Sequence, residues 1–191
     1  MQKNYLLKMN LIVVDLDHTL IGVDSFNLYM KKKIKQGSIP ALFLKTIRVL
    51  RLVSLSTYKK LSTSWMVKKD PSLETHIAGL KKTLNDALLS KIKTDYPSGE
   101  NKIIIMSASP HNYVKPLGEQ LLLEAHGSHF NEAGEWVHLH GQGKISFLKQ
   151  VFPEIKFTYK YAISDSPTDS GFLSLFEQSD LIEPYQCADG D

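Results

Sequence analysis

LIVVDLDHTL (residues 11–20) sets four aliphatic residues before two carboxylates, Asp15 and Asp17, with a single leucine between them. In an extended chain alternate side chains point to the same side, so the two carboxylates become neighbours. At ~4 Å two such charges repel by roughly 4 kcal/mol at an effective dielectric of 20. A cation, a shared proton or solvent must offset that repulsion. Two further short apolar runs, IIIM (103–106) and YAI (161–163), also end in small or acidic residues. Continuous apolar runs of this length read as parallel strands covered on both faces. SDLIEPY (179–185) is a weaker fourth strand candidate.

Helical patterning separates these runs, in HNYVKPLGEQLLLEA (111–125) and KISFLKQVF (144–152), and NEAGEWVHLHG (131–141) has the alternation and turn residues of a β-hairpin. Strand alternating with helix predicts an α/β fold with a doubly wound parallel sheet. Residues 24–95 differ. SFNLYMKKKIK, ALFLKTIRVLRLVSLSTYKKL and SLETHIAGLKKTLNDALLSKI are helix-like, interrupted by Gly37 with Pro40 and by Asp70-Pro71. The expected organisation is a core made of 1–22 and 96–191, with an all-helical insertion over 23–95.

The 191 residues, 42% hydrophobic and 23% charged, fit a globular protein and not a disordered one. One cysteine, Cys187, excludes an internal disulfide and fits a reducing compartment. MQKNYLLKMN has no secretory pattern and no run of 18 apolar residues occurs, so the expected location is the cytoplasm. The net charge of +3 is unevenly spread: residues 20–95 hold 15 Lys/Arg against 5 Asp/Glu, and the rest 8 against 15. Such segregation suggests two modules with different electrostatic roles. KKKIK and this charge are the only hints of nucleic acid; no aromatic-interleaved basic motif accompanies them, and no nucleic-acid partner is expected. The histidines of HGSH and HLH lack partner cysteines, which speaks against zinc.

In open α/β sheets, ligands bind at the carboxyl ends of the strands. There the sequence places DLDHT, SAS and SDSPTD. With these motifs in this order the chain resembles the haloacid dehalogenase superfamily, in its phosphoserine-phosphatase-like branch with a helical cap and a Rossmann-like core. Asp15-Leu16-Asp17-His18-Thr19 fits the DxDxT element, Ser107 follows the second strand, Lys144 opens a helix, and Asp165 with Asp169 resemble the GDSxxD element. Singly, Ser107 reads as an ordinary strand-end residue, Lys144 as a surface lysine, and Asp165 and Asp169 as loop or cap residues.

The resemblance implies a phosphatase acting on a small phosphorylated anion. Asp15 would attack phosphorus and form an aspartyl-phosphate, and Asp17 would protonate the leaving alcohol and then activate water. Mg²⁺ would sit on Asp15, the backbone carbonyl of Asp17 and Asp165, with Asp169 acting through water or by orienting its neighbours. Ser107 and Lys144 would hold phosphoryl oxygens, while Thr19 binds phosphate or caps the turn. Asp24 stands where phosphoserine phosphatases carry a glutamate that contacts the substrate amino group. Ser107-Ala108-Ser109 replaces the Ser-Gly-Gly of those enzymes, and Ser164 replaces the glycine before Asp165, so the resemblance does not assign phosphoserine.

Two other readings stand beside it. In ALFLKTIRVLRLVSL, Lys45, Arg48 and Arg51 recur every three residues and leave a wide apolar face, the pattern of a membrane-surface helix. That would allow peripheral membrane contact and a phospholipid headgroup phosphate as substrate; a cap helix packed on its neighbours is the simpler explanation of the pattern. A catalytically silent relative that only binds anions is the second alternative.

Overall fold

The computed structural model describes residues 8–187. Six strands form one sheet: β1 (Met9–Val14), β2 (Asn101–Pro110), β3 (Glu124–Phe130), β4 (Trp136–Val137), β5 (Phe157–Ser164) and β6 (Gln178–Leu181). Their order is β4-β3-β2-β1-β5-β6. Every neighbouring pair is parallel except β3 and β4. β1 is central because its alternate residues serve both faces. Ile12 and Val14 join one buried cluster, and Leu11 and Val13 join the other. The expected α/β doubly wound sheet is the fold observed.

Five helices lie between β1 and β2: α1 (Ser25–Lys35), α2 (Ile39–Val49), α3 (Leu55–Trp65), α4 (Leu73–Lys81) and α5 (Asp86–Asp95). The sequence predicts three helical stretches here, and two of them are broken by caps. Ser54 accepts a hydrogen bond from the Thr57 amide at 3.1 Å and starts α3, so the long stretch splits after Leu50. Asn85 does the same for α5 through the Leu88 amide at 3.1 Å. Both are side-chain oxygens satisfying amides that a helix start leaves unpaired. α5 stands on the sheet: Tyr96, just past its end, stacks on Tyr161 at 5.4 Å, and Lys93 donates to the Leu121 carbonyl at 3.3 Å.

α6 (His111–Gln120) follows β2, α7 (Gln142–Val151) precedes β5, and the four-residue α8 (Ser170–Leu173) precedes β6. The helical reading of 111–125 therefore runs too far, because its last two residues already belong to β3. β3 pairs with β4 across the Asn131–Glu135 turn, so the hairpin begins earlier than NEAGEWVHLHG suggests. Among the described residues, no helix is long and apolar enough to cross a membrane.

Register fixes what stands at the sheet's edge. Val14 pairs with Ile105 on one side and Ile163 on the other, and the Asp15 amide donates to the Ile163 carbonyl at 2.9 Å. Residues just beyond these three positions therefore emerge together at the carboxyl end of the sheet.

Candidate active site

That edge holds a cavity of about 150 Å³ lined by Asp15, Asp17, Ser107, Lys144, Asp165 and Asp169, with His18, Ala108, His140 and Ser166 completing the wall. Segments more than a hundred residues apart thus meet in one place. Lys144 comes from the first turn of α7, which Gly143 lets approach closely: a Cβ at residue 143 would lie 1.9 Å from the His138 carbonyl oxygen. Its Nζ donates to Asp15 Oδ1 at 2.5 Å and to Asp169 Oδ2 at 2.6 Å. The lysine is 2% exposed, so this pairing takes place out of water.

Burial pushes the Asp15 carboxyl up to about 7, with Asp169 and Asp17 adding to the rise and Lys144 opposing it. Burial works against the Lys144 ammonium, but Asp15 and Asp169 outweigh it and raise its pKa. The charge stays on the lysine. Ser164 adds a hydrogen bond to Asp169 Oδ2 at 2.9 Å, whereas Asp169 Oδ1 is buried with no partner.

The repulsion expected between Asp15 and Asp17 is relieved by turning them to different partners. Asp17 Oδ1 accepts from the Ser25 amide at 2.9 Å, and Oδ2 accepts from the Ser109 hydroxyl at 2.6 Å. Ser25 in turn donates to Ser109 Oγ at 3.0 Å and lies 3.2 Å from the Tyr113 hydroxyl. A buried hydroxyl chain therefore runs from Asp17 into the protein. Ser107 Oγ accepts from the Ser109 amide at 3.0 Å. Thr19 is fully buried beside Asp165: its hydroxyl donates to Asp165 Oδ1 at 3.3 Å and accepts from the Asp165 amide at 3.0 Å. Burial raises the Asp165 carboxyl as well.

Asp24 is not brought into the cavity. It is exposed and caps α1, accepting from the Asn27 amide at 2.7 Å. The insertion supplies a different residue: Lys59, on α3, is 8% exposed and donates to the Ala108 carbonyl at 3.1 Å, at the cavity wall. Burial lowers its pKa, against the pull of Asp17, Asp24 and Asp15. Nothing in the sequence separates Lys59 from its ten basic neighbours between 25 and 69. Ser109 and Ser164 did carry a signal, since both depart from glycine in the family the motifs resemble.

The donor set suits a hard cation. Four carboxylates face one strongly paired ammonium, Asp169 Oδ1 lacks a partner, and carboxylate oxygens outnumber the two imidazoles, His18 and His140, in the cavity wall. Among the described residues, no three His, Cys, Asp or Glu side chains cluster as a ready-made metal cage. The reason is visible: Asp17 is turned to serines and Asp169 to lysine. What remains is Asp15 and Asp165 with backbone oxygen, a sparse set of the kind Mg²⁺ accepts when water and phosphate supply the rest.

A doubly wound, mostly parallel sheet, a helical insertion after its first strand and an acidic, lysine-bridged cavity at its carboxyl edge define an α/β protein with an enzyme-like site at its strand ends. The family model for haloacid dehalogenase-like hydrolases matches residues 12–174, and the chain belongs to that family. Among solved structures it is similar to a protein of unknown function from Bordetella pertussis Tohama I, at 14% identity and a TM-score of 0.65, covering 90% of this chain and 89% of that one. It is also similar to a phosphoserine phosphohydrolase-like protein from Francisella tularensis, at 16% identity and a TM-score of 0.56, covering 91% and 95%. A phosphoserine phosphatase in apo form follows at 15% identity and 0.53, covering 92% and 95%. At these identities the likeness is one of fold. Comparison with curated proteins gives no match.

Proposed function

We propose that the protein is a Mg²⁺-dependent phosphatase that cleaves an organic phosphate monoester through an aspartyl-phosphate on Asp15. The observation that carries this reading is the convergence of Asp15, Asp17, Ser107, Lys144, Asp165 and Asp169 on one cavity at the carboxyl edge of the sheet.

The placement of these residues supports the following roles. A carboxylate oxygen of Asp15 forms a bond to phosphorus as the ester P–O bond breaks, and the leaving oxygen takes a proton from Asp17. Asp17 then accepts a proton from the water that attacks phosphorus. The Asp15–phosphoryl bond breaks and inorganic phosphate departs. Lys144, already held by two carboxylates, places its positive charge against the phosphoryl oxygens, and the Ser107 hydroxyl donates to them. Asp169 and Ser164 fix the lysine, and Thr19 fixes Asp165. Asp15, Asp165 and the Asp17 carbonyl would hold Mg²⁺, which when bound neutralises the clustered charge of carboxylates and phosphate.

Residues 23–95 are assigned as the cap, with α5 as its footing on the sheet and Lys59 as the charge it delivers to the cavity rim. A basic cap over an acidic floor selects a small anionic phosphoester and excludes bulk water. The test is hydrolysis of p-nitrophenyl phosphate with Mg²⁺ and with EDTA, for wild type and Asp15→Asn. Turnover that requires both the metal and Asp15 supports the reading. Absence of turnover on this substrate and on a panel of phosphometabolites, with no beryllofluoride binding, would leave the silent anion-binding relative instead.

A further inference from the structure

α2 carries two faces. Ala41 and Leu44 are buried where the helix packs on α1 and α3. The opposite side exposes Ile39 (79%), Leu42 (55%), Phe43 (52%), Val49 (67%) and Leu50 (62%). At 100° per residue these five fall within one arc of the helix surface, roughly a third of its circumference. Thr46 lies inside the same arc, and its hydroxyl is turned back to the Leu42 carbonyl at 2.9 Å, so the stripe offers no free polar group there. Beyond the helix, Arg51 has a φ of +58° and Leu52 is 69% exposed, which continues the apolar surface around the turn.

Such a stripe needs a cover, and the surrounding charge says what kind. Residues 25–69 contain eleven Lys/Arg and no Asp or Glu. Lys31, Lys35, Arg51 and Lys60 are exposed. Lys45 and Arg48 are tied inward, to Asn27 and to the Val53 carbonyl, and leave the stripe itself uncharged. Lys31 and Lys35 lie on α1 and Lys60 on α3, the helices that pack on α2, and Arg51 lies in the α2–α3 turn. The exposed charge near the stripe therefore has one sign, and a bilayer of anionic phospholipid matches both stripe and charge. Apolar side chains enter the acyl boundary while the basic rim meets the headgroups.

We propose that the outer face of α2, with the α2–α3 turn, docks this protein on an anionic phospholipid bilayer. The inference stands apart from the catalytic reading, since it uses no residue of the cavity. α2 ends at Val49, so Arg51 belongs to the turn and Lys45, Arg48 and Arg51 do not form the one helical row that the sequence suggests.

The experiment is co-sedimentation of the full chain with vesicles of equal parts phosphatidylglycerol and phosphatidylcholine, and with phosphatidylcholine alone. Wild type should pellet with the anionic vesicles at low salt, bind neutral ones at least about tenfold more weakly, and be released as salt rises. The Leu42→Asp/Phe43→Asp double variant should lose about tenfold or more in vesicle affinity while melting within a few degrees of wild type, because more than half of each side chain is exposed. No pelleting of wild type at low salt overturns the proposal. So does undiminished binding by the double variant. A concentration-dependent dimer in light scattering that the double variant dissolves would show that a second copy of the chain covers the stripe, and would also overturn it.

Discussion

The Ser109 hydroxyl donates to Asp17 Oδ2 at 2.6 Å, joining the end of β2 to the loop that leaves β1. It is the contact by which this chain aims the carboxylate assigned to proton transfer, together with the Ser25 amide on the other oxygen. Removing the hydroxyl lets Asp17 rotate without touching the phosphoryl-binding groups. Ser109→Ala should lower kcat with little change in KM. The loss should be about tenfold larger for an alkyl phosphate, whose leaving group needs the proton, than for p-nitrophenyl phosphate, whose leaving group does not. Equal losses on both substrates would mean a general structural effect. Ser109→Thr, which keeps the donor, should recover most of the difference.

Lys144 holds two buried carboxylates together. Lys144→Met leaves them facing each other without compensation, which costs about 3–5 kcal/mol in comparable buried networks. For a chain of this size that corresponds to a melting temperature lower by about 10 °C. Turnover should fall by about 10²–10³. Mg²⁺ should raise the melting temperature of the variant more than that of wild type, as scanning calorimetry with and without the metal would show. An unchanged melting temperature in the variant would mean that the network adds no net stability.

Asp70 gives a pH dependence outside the site. Its side chain is 4% exposed and ion-paired with Lys33 at 2.7 Å. Burial would raise its carboxyl, but Lys33 and the Ser72 amide and hydroxyl outweigh burial and hold it at about 2. Because the folded value lies below the unfolded one, the stabilisation is complete above about pH 4 and disappears as pH falls through about 2. Asp70→Asn should therefore be less stable than wild type by about 1–2 kcal/mol at pH 6, and the gap should close in urea titrations near pH 2. A gap that stays constant with pH would assign the effect to packing.

Much of this architecture is written in short runs of sequence. Apolar runs without alternation, as in 11–14 and 103–106, mark strands covered on both faces, and the residues after them mark the site. β3 escapes that logic. EAHGSHF has no apolar run, and its place in the sheet comes from pairing with β2 and from Gly127, whose missing Cβ would lie 2.5 Å from the Ser109 carbonyl oxygen. The breaks at Ser54 and Asn85 were also hidden, because a single capping side chain ends a helix without disturbing the hydrophobic period on either side. In the site, the motif residues were legible as a set. Their partners were not: Ser25 and Lys59 are unremarkable until the fold brings the insertion against the edge of β2.

Covalent chemistry at Asp15 would leave a phosphorylated protein that can be captured. Wild type mixed with p-nitrophenyl phosphate and Mg²⁺, quenched in acid within the first turnovers and digested with trypsin, should yield a peptide spanning residues 9–31 that carries one phosphoryl group on Asp15. Asp15→Asn should yield none. Turnover by wild type with no phosphorylated peptide, or appreciable turnover by purified Asp15→Asn, would contradict the account.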